Sequence, residues 1–531
     1  MKFQVLTSIF LVVTFFACQA QPGKMSRPNI IFIMADDHAT RAISAYGDSI
    51  NLTPNIDRIA NEGALFVNSF CANSICSPSR ATILTGKHSH KNGVTGNGAL
   101  WKSNQTLLPR QLKRNGYATA LFGKWHLNRN PGNEFDQWKI LMGAGRQGHY
   151  YNPEFTDKTG KSIVEEGYST DIITRESLEW MDAHQAKKED KPFFLMVQYK
   201  APHTPRMPAL RHLHVYEQDT IPEPLTLFDD YSTRGKHAGK AAMKIKSEPG
   251  MSLNVFPAYN SYDINKKQYH YLQRMNEGQR QAYHAYYDSL NNEYRQMKRA
   301  GLLEGRAGKS YSYQRFIKDY LRVVKGIDEN VGTILKYLDD HDLSENTIVV
   351  YASDQSYFTG EHGWAEKRYM YEEAMKMPLL MRWPARISEG TVVEELVQNI
   401  DYLPTFLDMA GVKVPDDVQG TSFKSLAFGK LPPQWREAVY YHYYDHGRHN
   451  VPRHEGIRTA RFKLIWFYTT DTWELYDLYK DPHEVNNIYG NSECQDVEMM
   501  LKEQLQQLRK RYEVPDSLFH PPYMPVGRGR H

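Results

Sequence analysis

The chain has 531 residues, of which 41% are hydrophobic and 24% are charged, and its formal net charge at pH 7 is +4. This length is sufficient for two domains, and the composition is that of a globular protein. The net charge is small for the length, and no run of lysine and arginine suggests a groove for nucleic acid. We therefore expect no nucleic-acid partner.

The first residues have the composition of a secretory signal. Met1 and Lys2 precede the apolar run FQVLTSIFLVVTFF, which is too short to span a bilayer comfortably but has the length of a signal-peptide core. Two processing routes remain open: cleavage before Gln21 would give a soluble exported protein, whereas FFAC resembles a lipobox in which Cys18 would carry a lipid anchor. We predict a signal peptide over residues 1–20 and an exported protein, periplasmic or anchored to the outer membrane of a bacterium.

Five apolar runs are predicted to form buried strands. In chain order they are NIIFIMADD, GALFVNSF, YATALFGKWH, KPFFLMVQYKAPHTP and ENTIVVYASDQ. Helical stretches such as TPNIDRIANEG separate them. This alternation favours an α/β fold with a large, mostly parallel central sheet flanked by helices.

Each of these runs leads into polar residues. In open α/β sheets, ligands bind at the carboxyl ends of the strands. One acid at a strand end is ordinary turn chemistry, but five polar endings together predict one assembled site. The polar residues that follow the five runs are Asp36 and Asp37, Cys76 and Arg80, Lys124 and His126, His203, and Asp354 and Gln355.

The character of the sequence changes after residue 428. The segments AVYYHYYD, IRTARFKLIWFY and WELYDLY are predicted to be antiparallel strands, and CQDVEMMLKEQLQQLRKRYEV an amphipathic helix. The apolar face of this helix is predicted to contain Val497, Met500, Leu501, Leu505 and Leu508. We divide the chain into a large domain over residues 27–428 and a smaller α+β domain over residues 429–531. Residues 207–300 are interpreted as an insertion of surface helices.

The segment CSPSRATILTG contains a cysteine that needs an explanation. Outside the signal the cysteines are Cys71, Cys76 and Cys494, an odd number with irregular spacing, so they predict no disulfide framework. Ser77 and Pro78 are typical of a helix start, with serine as the cap and proline in the first position. Cys76 would then lie at the positive end of a helix, where we expect an acidic and reactive thiol.

CSPSRATILTG resembles the hallmark of the sulfatase family, Cys-x-Pro-Ser-Arg followed by a Leu-Thr-Gly turn, and GYATALFGKWH is similar to that family's second signature. The resemblance extends over the paired acids, APHTP and SDQ…EHGWAEKR, from about Pro28 to the C-terminal domain. It implies an alkaline-phosphatase-like fold with residues 27–428 as the catalytic domain. It also implies a formylglycine-generating enzyme as partner, which would oxidise Cys76 to formylglycine. One hydroxyl of the hydrated aldehyde then attacks the sulfur of a sulfate ester.

The resemblance further implies a metal site, with the ligands Asp36, Asp37, Cys76, Asp354 and Gln355. The carboxylates and the amide offer oxygen donors, which suits one Ca²⁺ ion. The chain departs from the family pattern at two positions, because Gln355 stands where asparagine is common and Ser356 where glycine is common. Glutamine has the same amide oxygen as asparagine on a longer side chain, so we expect Gln355 to remain a metal ligand.

Cations and histidines complete the implied site. The residues implied to act in catalysis are Cys76, Arg80, Lys124, His126, His203 and Lys367. The cations would stabilise charge on the sulfate and the leaving group, His126 would contact the formylglycine hydroxyls, and His203 would protonate the leaving alcohol. The residues predicted to bind substrate are Lys124, His203, Lys367, His442 and His454. The last two belong to the cluster YYHYYDHGRHNVPRHEG, for which an aromatic packing edge between the domains is the alternative interpretation.

We predict an exported sulfatase that acts on a sulfated oligosaccharide. IPEPLTLFDDY, GEHGWAEKRYMYEE and HEGIRTARFKLI resemble bacterial N-acetylglucosamine-6-sulfatases, which favours the 6-O-sulfate of N-acetylglucosamine in heparan sulfate, heparin, keratan sulfate or mucin glycans. One alternative is a 2-O-sulfatase acting on uronate, for which Arg368 and Arg448 could face the carboxylate. The others are a phosphate or phosphonate ester hydrolase of the same superfamily, and a sugar-binding relative that remains unmodified at Cys76.

Overall fold

The computed structural model of the chain describes residues 27–47, 50–247, 271–445 and 447–520. The predicted signal peptide, with Cys18, and residues 248–270 of the predicted insertion lie outside these ranges. Within them, no helix combines the length and the apolar character that crossing a membrane requires.

Sixteen strands occur in the described ranges. In chain order they are β1 (Asn29–Ala35), β2 (Ala64–Phe66), β3 (Ser69–Phe70), β4 (Ala118–Gly123), β5 (Gln137–Leu141), β6 (Glu154–Asp157), β7 (Ser162–Val164), β8 (Phe193–Gln198), β9 (Thr347–Ser353), β10 (Leu379–Arg382), β11 (Thr391–Val393), β12 (Val397–Gln398), β13 (Ala438–Tyr443), β14 (His454–Thr459), β15 (Phe462–Phe467) and β16 (Thr472–Asp477). Ten of them form the central sheet, in the spatial order β11-β2-β10-β9-β1-β8-β4-β5-β6-β7. The run from β9 to β5 is parallel, and antiparallel pairings occur towards both edges.

The register of the parallel strands brings their carboxyl ends to one edge. Ala35 of β1 lies opposite Ser353 of β9, so the acids that follow these two strands emerge side by side. On the other flank, Gln198 of β8 lies between Met34 of β1 and Gly123 of β4. Every residue of β4, β8 and β9 is buried, as expected for parallel strands that have helices on both faces.

The helices cover the two faces of the sheet. In chain order they are α1 (Pro54–Asn61), α2 (Cys76–Thr85), α3 (Ser89–Asn92), α4 (Leu108–Arg114), α5 (Ser169–Gln185), α6 (Lys236–Lys240), α7 (Glu277–Arg299), α8 (Gly305–Asp340), α9 (Glu372–Met375), α10 (Tyr402–Met409), α11 (Lys424–Ala427) and α12 (Gln495–Arg511). Ile30 and Phe32 of β1 point into the core formed with α2, α4 and α10. Ile31 and Ile33 point into the opposite core, formed with α1, α5 and α8. The strand alternation thus separates two hydrophobic layers.

Two details of the predicted large domain are wrong. GALFVNSF is not one strand, because a turn at Val67 and Asn68 divides it into β2 in the central sheet and β3, which pairs with β12 in a separate small sheet. Residues 207–300 are not merely a surface insertion. The predicted helix is present as α7, but its Tyr283 and Tyr287 are fully buried and belong to the core beneath the sheet.

The C-terminal region forms the predicted antiparallel sheet, in the order β13-β14-β15-β16. The segment predicted as the strand IRTARFKLIWFY is a hairpin instead, since β14 and β15 pair on either side of Ala460 and Arg461. Helix α12 packs Leu501 and Leu505 against this sheet. Met500 is 43% exposed, so it does not belong to the buried face as predicted. The α/β fold with a smaller α+β part is confirmed.

Candidate active site

Helix α2 carries Cys76 as its first residue, and all ten of its residues are buried. The predicted capping is wrong, because Ile75 is the cap and Ser77 and Pro78 lie inside the first turn. The Ser77 hydroxyl is engaged elsewhere: it donates to the backbone carbonyl of His126 over 2.6 Å. Cys76 therefore does occupy the positive end of a helix, as predicted, but in the interior of the protein.

Three carboxylates surround the thiol. Asp36 and Asp37 follow β1, Asp354 follows β9, and one oxygen from each lies within 4.8 Å of the others. The Sγ atom of Cys76 is 3.4 Å from Oδ1 of Asp36. Asp37 has the left-handed backbone conformation, with a φ of 71°, and the Tyr320 hydroxyl donates to its carbonyl over 2.7 Å. The predicted acids therefore converge beside Cys76.

Gln355 completes this group. Its Nε2 donates to Oδ1 of Asp37 and lies 3.6 Å from Sγ of Cys76, while its buried Oε1 has no hydrogen-bond partner in the described part of the chain. The two amide atoms exchange places by rotation of the side chain, so the carbonyl oxygen can be directed at the carboxylates. An orphaned amide oxygen beside three converging acids fits a hard cation with oxygen ligands. Asp36, Asp37, Asp354 and Gln355 could therefore hold such an ion.

Each carboxylate is matched with one cation. Arg80 Nε donates to Oδ2 of Asp354 over 2.9 Å. Lys124 Nζ donates to Oδ2 of Asp36, and Lys367 Nζ lies 2.6 Å from Oδ1 of Asp37. The site therefore contains three ion pairs: Arg80–Asp354, Lys124–Asp36 and Lys367–Asp37. Although burial opposes it, the Asp37 carboxylate raises the pKa of Lys367.

Two histidines border the same space. His126 has a φ of 55°, and its Nδ1 has no partner in the described ranges. His203 Nδ1 donates to the Thr204 carbonyl over 2.7 Å, and its Nε2 lies 3.9 Å from Oδ2 of Asp37. Because a carbonyl only accepts, Nδ1 carries the proton and Nε2 faces the site. Burial, reinforced by the nearby Lys124, lowers the pKa of both rings well below their usual value.

The expected acidity of the thiol is not found. Burial raises the pKa of Cys76 to about 12, and the carboxylates of Asp354 and Asp37 act in the same direction, against Lys367. The helix start favours the thiolate, but desolvation is the larger effect here. In a formylglycine-bearing chain, Sγ stands for the oxygen of the aldehyde or of its hydrate.

His442 and His454 lie outside this site. Both are fully buried in the C-terminal sheet. His442 is held by the hydroxyls of Tyr440 and Tyr468, and His454 stacks on Tyr441. The prediction that these two histidines contact a sugar is contradicted by their burial, and the aromatic packing alternative describes them.

The C-terminal sheet supports the site through Tyr441 instead. The Tyr441 hydroxyl donates to the Arg368 carbonyl over 2.6 Å and accepts from the Ser74 backbone N–H over 3.1 Å. It therefore links the segment before Cys76 with the segment after Lys367. No feature of the sequence distinguishes this tyrosine from its neighbours in the cluster.

Lys200 is a further buried cation at the same edge that the sequence analysis left out. It follows β8, and its ammonium donates to the Thr204 carbonyl over 3.2 Å. Burial lowers its pKa to about 7. The rule that polar residues after parallel strands form the site could have identified it, because it precedes His203 by three positions.

These features place acids that could hold a cation, together with cations and histidines, around Cys76 at the carboxyl edge of a mostly parallel sheet. The chain matches the sulfatase family over residues 28–412 and the C-terminal region of N-sulphoglucosamine sulphohydrolase over residues 360–511. It belongs to the sulfatase family, as predicted. Members of this family use formylglycine and a bound metal ion.

Individual relatives agree with this assignment. The chain is 44% identical to an N-acetylglucosamine-6-O-sulfatase of Bacteroides thetaiotaomicron, over 93% of its own length and 88% of the relative. It is 25% identical to an arylsulfatase of Clostridium perfringens, over 91% of its length and 93% of the relative. The solved structure of BT4656 in complex with its substrate D-glucosamine-2-N,6-O-disulfate superposes with a TM-score of 0.88 at 44% identity, covering 93% of this chain and 99% of that one.

Proposed function

We propose that the protein hydrolyses the 6-O-sulfate ester of N-acetylglucosamine residues in glycosaminoglycans such as heparan sulfate, heparin and keratan sulfate, or in mucin glycans. The observation that carries this proposal is the 44% identity, over 93% of the chain, to a relative with that activity. The substrate bound in the similar solved structure, D-glucosamine-2-N,6-O-disulfate, also carries a 6-O-sulfate. The converging acids, cations and Cys76 of this chain supply the groups that such a reaction needs.

In the proposed mechanism, the nucleophile is the hydrated aldehyde derived from Cys76. Asp36, Asp37, Asp354 and Gln355 would hold one Ca²⁺ ion. When bound, this ion lowers the pKa of the attacking hydroxyl and neutralises sulfate oxygens. Lys124 and Lys367, whose ammonium groups lie against Asp36 and Asp37, would bind and stabilise the negative charge of the sulfate.

His203 is the proposed proton donor to the leaving alcohol. Its Nδ1–H is held by the Thr204 carbonyl, so Nε2 is the atom presented to the ester oxygen. Nε2 has to take up a proton before it can donate one, and the negative charge of the bound sulfate favours that uptake. His126 is placed against the start of α2, since the hydroxyl of Ser77 holds its backbone carbonyl. Its unpartnered Nδ1 is the proposed contact to the hydroxyls on residue 76.

We also propose that a formylglycine-generating enzyme acts on Cys76 and that the chain is exported, to the periplasm or, with a lipid on Cys18, to the outer membrane. The support for export is the charged start and apolar run of residues 1–20. Labelling of the native host with a fatty acid analogue distinguishes the two routes. Label on the intact protein that is lost in Cys18→Ala indicates the anchored form.

The substrate is tested with three sulfated sugars offered in parallel to the formylglycine-bearing protein. N-acetylglucosamine-6-sulfate is expected to release sulfate faster than galactose-6-sulfate or a 2-O-sulfated uronate disaccharide. Cys76→Ala is the control and should release none. Preference for the uronate would instead identify a 2-O-sulfatase. Arg368 gives that alternative little support, because its guanidinium already lies 3.7 Å from Glu366 and 3.5 Å from the Tyr443 hydroxyl.

A further inference from the structure

Lys200 is a buried lysine at the catalytic edge that has no acidic partner among the described residues. Only 1% of the residue is exposed to solvent. Its ammonium group contacts the Thr204 carbonyl at 3.2 Å and lies 5.2 Å from the centre of the Tyr150 ring. Neither partner carries a formal charge, and an ammonium group has three N–H donors.

The other cations of the site differ from Lys200 in this respect. Arg80, Lys124 and Lys367 each form an ion pair with a carboxylate of their own. Over the described residues Lys200 forms no ion pair. A buried ammonium that lacks a counter-ion lowers the stability of a folded protein. We expect a buried lysine without an acidic partner where the protein binds an anionic ligand.

The position of Lys200 relates it to the reacting groups. Its ammonium and His203 Nδ1 donate to the same carbonyl, that of Thr204. Lys200 lies close enough to Asp37 for the carboxylate to favour the protonated form of the lysine and partly offset the effect of burial on its pKa. The His203 carbonyl in turn accepts from the hydroxyl of Tyr150, the ring over which Lys200 lies. Lys200 is thus part of the turn that presents His203 to the site.

We propose that Lys200 is a further sulfate-binding residue, whose ammonium donates a hydrogen bond to a non-bridging oxygen of the sulfate ester. This inference rests on the proposed sulfatase activity and adds a residue to it. Lys200 forms no covalent bond and transfers no proton in this role. It neutralises charge on the sulfate while the S–O bond to the sugar breaks, in the manner of a preorganised anion-binding group.

Lys200→Met tests the proposal, because methionine has similar length and no charge. We expect kcat/KM to fall about 100-fold, equally for N-acetylglucosamine-6-sulfate and for 4-nitrophenyl sulfate. The inhibition constant of inorganic sulfate should rise by about tenfold or more, as expected for loss of a charged hydrogen bond. The melting temperature should stay the same or rise, because an uncompensated charge has been removed. Lys200→Arg should restore part of the sulfate affinity.

The matched control is Lys336→Met, since Lys336 is an exposed lysine on α8 that pairs with Asp340. It should change none of these quantities. An unchanged sulfate inhibition constant in Lys200→Met would overturn the proposal. A loss confined to the sugar sulfate would overturn it as well, because that result places Lys200 at the leaving alcohol. Should Lys200→Met not fold, Lys200→Gln removes the charge but keeps an N–H donor group, and a rise in the inhibition constant is expected for it as well.

The proposed function and the role of Lys200 can fail separately. If the wild-type protein hydrolyses none of the sugar sulfates, calorimetric titration of inorganic sulfate in the presence of Ca²⁺ still compares wild type with Lys200→Met. Weaker sulfate binding by the variant would support the anion-binding role even then. Equal binding by the two proteins would refute it.

Discussion

Arg80 and Asp354 form a buried ion pair that joins the nucleophile helix to the central sheet. The guanidinium donates from Nε to Oδ2 of Asp354 over 2.9 Å, and the two side chains are 3% and 0% exposed. Arg80 also donates to the Lys124 carbonyl over 2.8 Å. One side chain of α2 therefore fixes the ends of both β9 and β4 around Cys76.

The first prediction concerns this pair. Arg80→Met leaves the Asp354 carboxylate buried without its cation, so we expect a loss of about 3 kcal/mol in unfolding free energy. The loss should be smaller in Ca²⁺ than in EGTA, because a bound cation replaces the missing charge. Urea unfolding of variant and wild type under both conditions measures this. An identical loss in the two buffers would show that the ion does not bind at Asp354.

The second prediction concerns the metal ligands. Asp354→Ala should abolish turnover and calcium binding together, because one of the converging carboxylates is lost. Calorimetry on the unconverted Cys76 protein measures calcium binding independently of turnover. Asp230→Ala, which changes an exposed acid, is the control. Full calcium affinity in Asp354→Ala would remove Asp354 from the metal site.

The third prediction concerns acid stability. Burial lowers the pKa of His454 to about 3, whereas the unfolded chain titrates near 6.5. Below pH 6.5 the unfolded state binds a proton that the folded state does not, so this histidine costs the folded protein about 1.4 kcal/mol per pH unit as the pH falls. His454→Gln should therefore lose about 2 kcal/mol less than wild type between pH 6.5 and about pH 5.

Urea unfolding at the two pH values tests the third prediction. His214→Gln is the control, because the His214 side chain is 74% exposed, and it should follow wild type. Equal acid sensitivity of His454→Gln and wild type would show that His454 becomes protonated without unfolding.

The fourth prediction concerns the link through Tyr441. Tyr441→Phe removes the hydroxyl that joins Ser74 to the Arg368 carbonyl. We expect a loss of about 1–3 kcal/mol in stability, because a buried N–H and a buried carbonyl are left unpaired, and a fall in kcat. Tyr479→Phe changes an exposed tyrosine, 72% accessible, and should be neutral. Unchanged kinetics in Tyr441→Phe would show that the C-terminal sheet does not position the site.

The sequence was sufficient to predict the main strands and the edge at which the site lies. Continuous apolar runs such as Asn29–Ala35 indicate strands covered on both faces, and the polar residues after them meet because parallel strands end at one edge. The helix cap was mispredicted because Ser77 and Pro78 have the local propensity of a start. The tertiary contact of Ser77 with His126 is invisible in a local pattern.

Which side chains are buried was harder to predict from the sequence than which residues lie near the site. His442 and Tyr441 are neighbours on β13, yet one packs among aromatic rings and the other holds two segments of the site. Which face of a strand meets which neighbour depends on the pairing of β13 with β14 and its contacts beyond the sheet. Lys200 stands at a strand end that the pattern does identify, but its lack of an acidic partner among the described residues appears only when the carboxylates are placed.

The burial of helix α2 constrains the order in which Cys76 is modified and the chain folds. Cys76 is 1% exposed and all of helix α2 is buried, so a modifying enzyme has no access to this segment in the folded chain. The proposed oxidation of Cys76 is therefore expected to precede folding. Adding the modifying enzyme to folded, unconverted protein should accordingly leave it inactive until it is unfolded and refolded. Two folded molecules with the same sequence would thus differ in activity, according to whether Cys76 was oxidised before α2 became buried.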